Sequence, residues 1–173
     1  MKIIAFGASS SKKSINKTLA SYAASLVEGS QVEVLDLNDY ELPIYSQDKE
    51  QELGTPNAVK TFLQKINEAD AVIVSFAEHN GSYSAAYKNI FDWATRTSKK
   101  VYENKKMIIL STSPGPGGAK AVFGAAVTSM PFFGAIVVGS MSVPSFFENF
   151  DMEKLSLKNS DLESKMLEII NKL

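Results

Sequence analysis

Apolar runs and helix-period segments alternate along the chain from one end to the other. Residues 2–7 (Lys-Ile-Ile-Ala-Phe-Gly) predict a buried strand that ends in a Gly/Ser loop. Leu19, Tyr22, Ala23 and Leu26 then recur at i, i+3, i+4 and i+7, the spacing of one helical face. Gly29 is suited to stop that helix. Val32, Val34 and Leu37 alternate with polar residues and predict a second strand nearer an edge, whereas residues 38–56 read as irregular, with Pro43, Gly54 and Pro56 as punctuation. A helix from Pro56 carries Val59, Phe62, Leu63 and Ile66 on one side. Residues 70–76 are apolar on both faces and predict a central strand. A polar loop at 77–82, a helix near 83–98, a strand at 107–110 and a glycine-rich loop at 111–118 follow. A helix at 119–130, a strand at 134–139 and a closing helix at 159–173, with Leu162, Met166, Leu167 and Ile170 facing inward, complete the pattern. Five strands alternating with five helices predict an α/β fold: a parallel sheet covered on both faces.

In open sheets of this kind ligands bind beyond the carboxyl ends of the strands, where strand order reverses. Three loops leave strands at that edge with unusual composition: 7–16, 77–82 and 111–118. Each is polar and rich in small residues, and each lies between apolar elements.

Composition removes whole classes of chemistry. At 173 residues the chain is expected to form one domain, residues 1–173, with a real core. It has no Cys, which excludes disulfides, thiol nucleophiles and iron–sulfur clusters, and its one His cannot supply the imidazoles of most zinc or non-haem iron sites. Eighteen Lys and Arg against 19 Asp and Glu leave a net charge of −1, with no basic footprint for nucleic acid or anionic lipid. Residues 121–147 are uncharged, yet Pro131, Pro144, three glycines and five Ser/Thr interrupt them, so a buried helix and strand are expected there rather than a membrane span. The apolar stretch after Met1 is too short for a signal peptide, and the expected location is the cytoplasm. There is no Gly-x-Ser-x-Gly elbow of a hydrolase, and the first strand does not end in the acidic pair of a receiver domain.

The first loop brings Ser9, Ser10, Ser11, Ser14 and Asn16 to a helix N-terminus, which carries roughly +0.5 charge and unpaired N–H groups. Two readings stand: a phosphate cradle, or a plain cap with Ser14 as N-cap. It matches neither Gly-x-Gly-x-x-Gly nor the Lys-Ser/Thr phosphate loop. The second loop, Ala77 to Ser82, could meet a flat polar ring through amide and backbone groups. His79 lacks a nucleophile or acid to pair with, and Glu78 reads equally as a solvated or ion-paired loop acid. In the third loop Gly115, Gly117 and Gly118 let the backbone approach a ligand, and Pro114 and Pro116 stiffen it.

These segments together resemble the NAD(P)H-dependent FMN reductases, a flavodoxin-like family that includes chromate, quinone and azobenzene reductases. Ser9, Ser11, Ser14 and Asn16 stand in the family's Gly-Ser-x-Arg-x-x-Ser-x-Asn phosphate loop. Residues 42–48 are similar to its Leu-Pro-hydrophobic-Tyr-x-x-Asp segment. Glu78-His-Asn-Gly-Ser82 followed by Lys88-Asn-Ile-Phe-Asp-Trp93 is the most specific match, because its spacing is intact. Ser113 to Gly118 is similar to the third flavin loop. Departures stand beside the matches: Ser11 takes the arginine's place and leaves Lys12 or Lys13 as counter-charge, while Ala77, His79 and Ala85 replace Pro, Tyr and Pro.

The resemblance implies a three-layer sandwich with sheet order 2-1-3-4-5 and FMN held by Ser9, Ser11, Ser14, Ile15 and Asn16, by Ala77, Glu78, His79, Asn80 and Gly81, and by Ser113, Gly115, Gly117 and Gly118. It implies no catalytic side chain. NADPH or NADH would pass hydride to flavin N5, and a small acceptor (free flavin, quinone, azo compound or metal oxyanion) would collect it. It implies a homodimer or homotetramer, for which Phe132, Phe133, Phe146, Phe147 and Phe150 offer aromatic surface. The alternatives are a flavodoxin-type electron carrier, which a net charge of −1 disfavours, and a non-catalytic FMN-binding sensor on the same fold.

Overall fold

In the computed structural model, which describes Met1–Leu173, every apolar run of the pattern lies in one five-stranded parallel sheet. Its strands are β1 (Lys2–Ala8), β2 (Gln31–Leu35), β3 (Ala71–Phe76), β6 (Lys106–Thr112) and β7 (Ile136–Val143), in spatial order β2-β1-β3-β6-β7. Counted along the chain, that is the expected 2-1-3-4-5, with the reversal between β1 and β3. Alternate side chains of each central strand enter opposite cores. Ile4 and Phe6 of β1, Val72 and Val74 of β3, and Met107 and Ile109 of β6 face α3 (Asn57–Glu68), α4 (Ala85–Thr97) and α5 (Lys120–Ser129). Ile3, Ala5, Ile73, Ile108 and Leu110 face α1 (Ile15–Ser25) and α7 (Ser160–Ile170).

The first of these cores is rich in rings. Tyr87 sits between Phe6 and Phe91 at centroid distances of 6.4 and 5.4 Å, and Phe133 meets Phe91 edge-on at 4.6 Å. Pairs of this kind add roughly 0.5–1.5 kcal/mol each beyond the area they bury. Burial also pushes the Tyr87 and Tyr102 phenols well above their ordinary range, so both stay neutral and share a hydrogen bond of 3.2 Å.

Several expectations need correction. Residues 38–56 are not irregular throughout: a 3-10 turn at Leu37–Tyr40 and α2 (Gln47–Leu53), capped by Ser46, lie within them, and Leu37 belongs to the turn rather than to a strand. The loop at 77–82 is a hairpin of β4 (Glu78–His79) and β5 (Ser82–Tyr83). The last sheet strand runs to Val143 because Ser140 and Ser142 continue the ladder with Ile109 and Ser111, past the point where the apolar signal stops. After it come a short α6 (Phe146–Asn149) and a hairpin of β8 (Phe150–Asp151) and β9 (Ser156–Leu157), for which the sequence pattern predicted nothing. In α7 the buried positions are Met166, Ile169 and Ile170, whereas Leu167 is exposed. Phe146 and Phe150 are core residues stacked at 4.8 Å, so the aromatic surface reduces to Phe132 and Phe147, which are 78% and 57% exposed. No helix is long and apolar enough to cross a membrane.

Candidate functional site

The site is assembled where β1, β3 and β6 end, and four side chains lace its loops together. Gly7 is the penultimate residue of β1; a Cβ there would stand 2.3 Å from the Lys17 nitrogen, so only glycine lets α1 start this close to the sheet. Ser14 caps α1 by accepting the Lys17 N–H at 3.1 Å. Asn16, buried in the first turn, reaches across to β6: its Nδ2 donates to the Thr112 carbonyl and its Oδ1 accepts the Thr112 N–H, both at 3.1 Å. The Ser75 hydroxyl of β3 donates to the same Oδ1 at 2.7 Å. Ser84 caps α4 and donates its hydroxyl to the Ala8 carbonyl at 2.7 Å. Glu78 accepts the Val122 N–H at 2.9 Å and so caps α5, whose own N-cap position, Ala119, offers no side-chain bond.

A cavity of about 290 Å³ opens between these loops. One end is lined by Ser9, Ser11, Lys13, Ser14, Ile15 and Asn16. Here the backbone N–H groups of Ile15 and Asn16 have no protein acceptor. The hydroxyls of Ser9 and Ser14 accept backbone N–H groups but donate to nothing. Lys13 forms no ion pair, whereas Lys17 is committed to Asp36 and the only arginine, Arg96, to Glu50. The other end is lined by Ala77, Glu78 and His79 and by Thr112, Ser113, Pro114 and Phe147. The first loop thus contributes uncommitted donors and a cation, while the Thr112 and Ser113 hydroxyls are spent on the Val143 and Gly115 carbonyls and leave Ala77, His79, Pro114 and Phe147 as flat or apolar lining.

Nine of the fourteen expected positions meet at this cavity: Ser9, Ser11, Ser14, Ile15, Asn16, Ala77, Glu78, His79 and Ser113. Asn80, Gly81, Gly115, Gly117 and Gly118 do not line it. Asn80 and Gly81 have φ of 52° and 77° and make the two-residue turn of the β4–β5 hairpin, which requires positive φ at both positions. Gly118 is held from behind, its carbonyl accepting the hydroxyls of Ser111 at 2.7 Å and Ser142 at 2.6 Å. Gly115 is tied to the segment after β7, its carbonyl accepting the Ser145 N–H at 2.9 Å. Thr112, Pro114 and Phe147 are the lining residues that sequence reasoning missed. Phe147 comes from α6, far along the chain, and no local pattern announces it.

A further pair of motifs proves to be one contact. Asn89 donates to the carbonyls of Leu42 and Pro43 at 3.2 and 3.1 Å and accepts the Tyr45 N–H at 2.8 Å. The Trp93 indole donates to the Pro43 carbonyl at 2.9 Å and meets the Tyr45 ring edge-on at 5.2 Å. The Leu-Pro-Ile-Tyr strap is therefore fastened by the Asn and Trp of α4.

Fold and site together define an α/β protein whose strand-end cavity has the donors at a helix N-terminus and the flat lining to accommodate an anionic, partly flat ligand. Residues 1–148 match the model of the NADPH-dependent FMN reductases, and the chain belongs to that family. An NADPH:quinone oxidoreductase of Arabidopsis thaliana is 38% identical over 97 residues, covering 56% of this chain and 48% of the plant protein. An NAD(P)H-dependent FMN reductase of Pseudomonas aeruginosa is 32% identical over 119 residues, covering 68% of this chain and 63% of the relative. The match therefore spans about half of the first relative and less than two thirds of the second. Among solved structures, the flavoenzyme FerB, an NAD(P)H:(acceptor) oxidoreductase of Paracoccus denitrificans, superposes with a TM-score of 0.76 at 25% identity, covering 98% of this chain and 93% of that one.

FMN, the cofactor of that family, suits the residues present. Its phosphate needs hydrogen-bond donors and positive charge, which the Ser9, Ser14, Ile15, Asn16 and Lys13 end supplies.

Proposed function

We propose that this chain is an FMN-dependent NAD(P)H oxidoreductase that passes reducing equivalents to a small acceptor such as a quinone, free flavin, azo compound or metal oxyanion. The observation that carries this reading is the make-up of the strand-end cavity, with uncommitted donors and Lys13 from the first loop and flat or apolar lining from Ala77, His79, Pro114 and Phe147. When bound, FMN supplies hydride transfer itself, and the protein's contribution is binding and orientation. The unpaired N–H groups of Ile15 and Asn16 and the hydroxyls of Ser9, Ser11 and Ser14 hold the phosphate; the stiff Pro114 turn and Phe147 present apolar surface to the ring. His79 stands at the open rim. Its backbone is paired with Ser82 in the hairpin, and its exposed side chain forms no hydrogen bond or ion pair within the chain. The active assembly is a homodimer or homotetramer, a reading that the exposure of Phe132 supports.

The test is the absorption spectrum of protein loaded with FMN, freed of excess and then given NADPH or NADH without oxygen. Retained flavin bands that bleach are expected. Retained bands that no nicotinamide bleaches would make the protein a carrier or sensor instead. Retention of no flavin would overturn the reading. His79→Tyr is expected to keep the flavin and to change the bleaching rate; flavin loss in that variant would remove His79 from the rim.

A further inference from the structure

A second, larger cavity of about 600 Å³ adjoins the first, and the two share Lys13 and Ser14. It runs along the outer side of α1 from Lys12 to Ser25 beneath the turn of the β8–β9 hairpin, about 16 Å from Ser14 at ~1.5 Å of rise per residue. Its chemistry is graded. At the shared end stand Lys12 and Lys13, neither of which forms an ion pair. Further along, Thr18 and Ser25 donate their hydroxyl protons to the carbonyls of Ser14 and Tyr22, at 3.2 and 2.7 Å, which leaves only their lone pairs to offer a ligand. Met152 and Leu155 form an apolar lip. Leu155 holds a left-handed backbone (φ 50°) and yet leaves 57% of its surface exposed, so its own burial does not explain its conformation. Tyr22, 7% exposed, contributes the edge of its ring to the wall.

We propose that this groove takes the adenylate half of FAD, so that the protein accepts FAD as well as FMN. The proposal rests on the reading of the first cavity as a flavin-phosphate site. The groove joins that cavity at its phosphate end and not at the His79 and Phe147 end. A ligand that fills both must therefore continue from the flavin phosphate. Cations at the junction suit a second phosphate. Acceptor oxygens suit ribose hydroxyls and the adenine amino group, and the Met152–Leu155 lip suits a flat base. The adenosine of a nicotinamide stacked at the ring end would enter from the opposite side.

Affinities of the apoprotein for riboflavin, FMN and FAD, followed by flavin fluorescence at low salt, test the proposal. FAD is expected to bind at least 10-fold more tightly than FMN. Ser21→Trp, which fills the groove, is expected to abolish that difference while FMN affinity stays the same; Lys12→Gln, at an exposed position that carries no fold, is expected to reduce it several-fold. Equal affinity for FMN and FAD in the wild type would overturn the proposal and leave the flavin reading intact. So would an FAD advantage that survives both substitutions, or NADP⁺ binding to FMN-loaded protein that Ser21→Trp abolishes. Binding of no flavin at all would instead sink the reading on which it rests.

Discussion

Asn16 and Thr112 are joined by a reciprocal pair of hydrogen bonds, amide to carbonyl and N–H to amide oxygen, each 3.1 Å long. With the Ser75 hydroxyl added at 2.7 Å, the Asn16 oxygen is saturated, and the side chain works as a clamp between the first and third loops. Its backbone N–H has no protein acceptor, so in the proposed site Asn16 would serve the cofactor through the main chain, while its side chain serves the fold. Replacing Asn16 with Ala strands the buried Thr112 N–H and carbonyl and the Ser75 hydroxyl. The expected loss is about 3 kcal/mol or more in urea unfolding, at ~1–3 kcal/mol for each of the buried groups left unpaired. FMN affinity should fall with it because the loops separate. A variant of unchanged stability would show that the clamp is not needed.

The sheet was legible because its central strands are apolar runs separated by helices of regular period, whereas its order was legible only through the family resemblance. Small elements were not. Asn80-Gly81 is the strongest two-residue hairpin signal, yet its flanks, Glu78-His79 and Ser82-Tyr83, are too short to show alternation. The dual role of Asn16 was hidden for a different reason: its partner lies 96 residues away, and side-chain commitments at that range leave no periodic trace. The same holds for Glu78, whose bond to Val122 turns an ambiguous loop acid into the cap of α5. The donor-rich first loop was legible as residue types at a helix start, whereas which of Lys12 and Lys13 lines the cavity beside it needed coordinates.

Asn89 fixes the strap at 42–45 through three hydrogen bonds, two of them to consecutive carbonyls. Asn89→Ala should cost about 1–3 kcal/mol, since the Tyr45 N–H and the Leu42 carbonyl lose their partner while the Pro43 carbonyl keeps the Trp93 indole. The local effect should be larger than the global one. Limited proteolysis is expected to cut between Leu42 and Leu53 in the variant at concentrations that leave the wild type whole. Equal resistance would mean that the Trp93 bond to Pro43 suffices.

The Lys17–Asp36 pair ties the first turn of α1 to the end of β2. The Lys17 ammonium, helped by the Asn38 N–H, holds the Asp36 carboxyl below its ordinary range. A carboxylate depressed in the folded state contributes stability that is present above its unfolded pKa and is lost as pH falls through the folded one. Asp36→Asn should therefore lower stability at neutral pH by up to about 1 kcal/mol, as befits a partly exposed pair. Below the folded pKa the two proteins should converge. Thermal unfolding from pH 7 down to pH 3 measures this, and a gap that persists in acid would assign the effect to the Asn38 hydrogen bonds instead.

Lys13 alone among the cations lines the phosphate end: Lys17 is turned to Asp36 and Arg96 to Glu50, and Lys12 lines only the neighbouring groove. It stands two residues beyond Ser11, which takes the place of the family's arginine, and a lysine there acts as a point charge rather than a bidentate fork. Lys13→Gln should weaken FMN about 10-fold, close to the ~1.5–3 kcal/mol of a hydrogen bond to a charged group. Riboflavin, which has no phosphate, should bind equally well to both proteins. Raising salt should erode FMN affinity in the wild type more steeply than in the variant, because screening acts on the charge that the variant lacks. If riboflavin suffers as much as FMN, Lys13 shapes the loop and does not neutralise the phosphate.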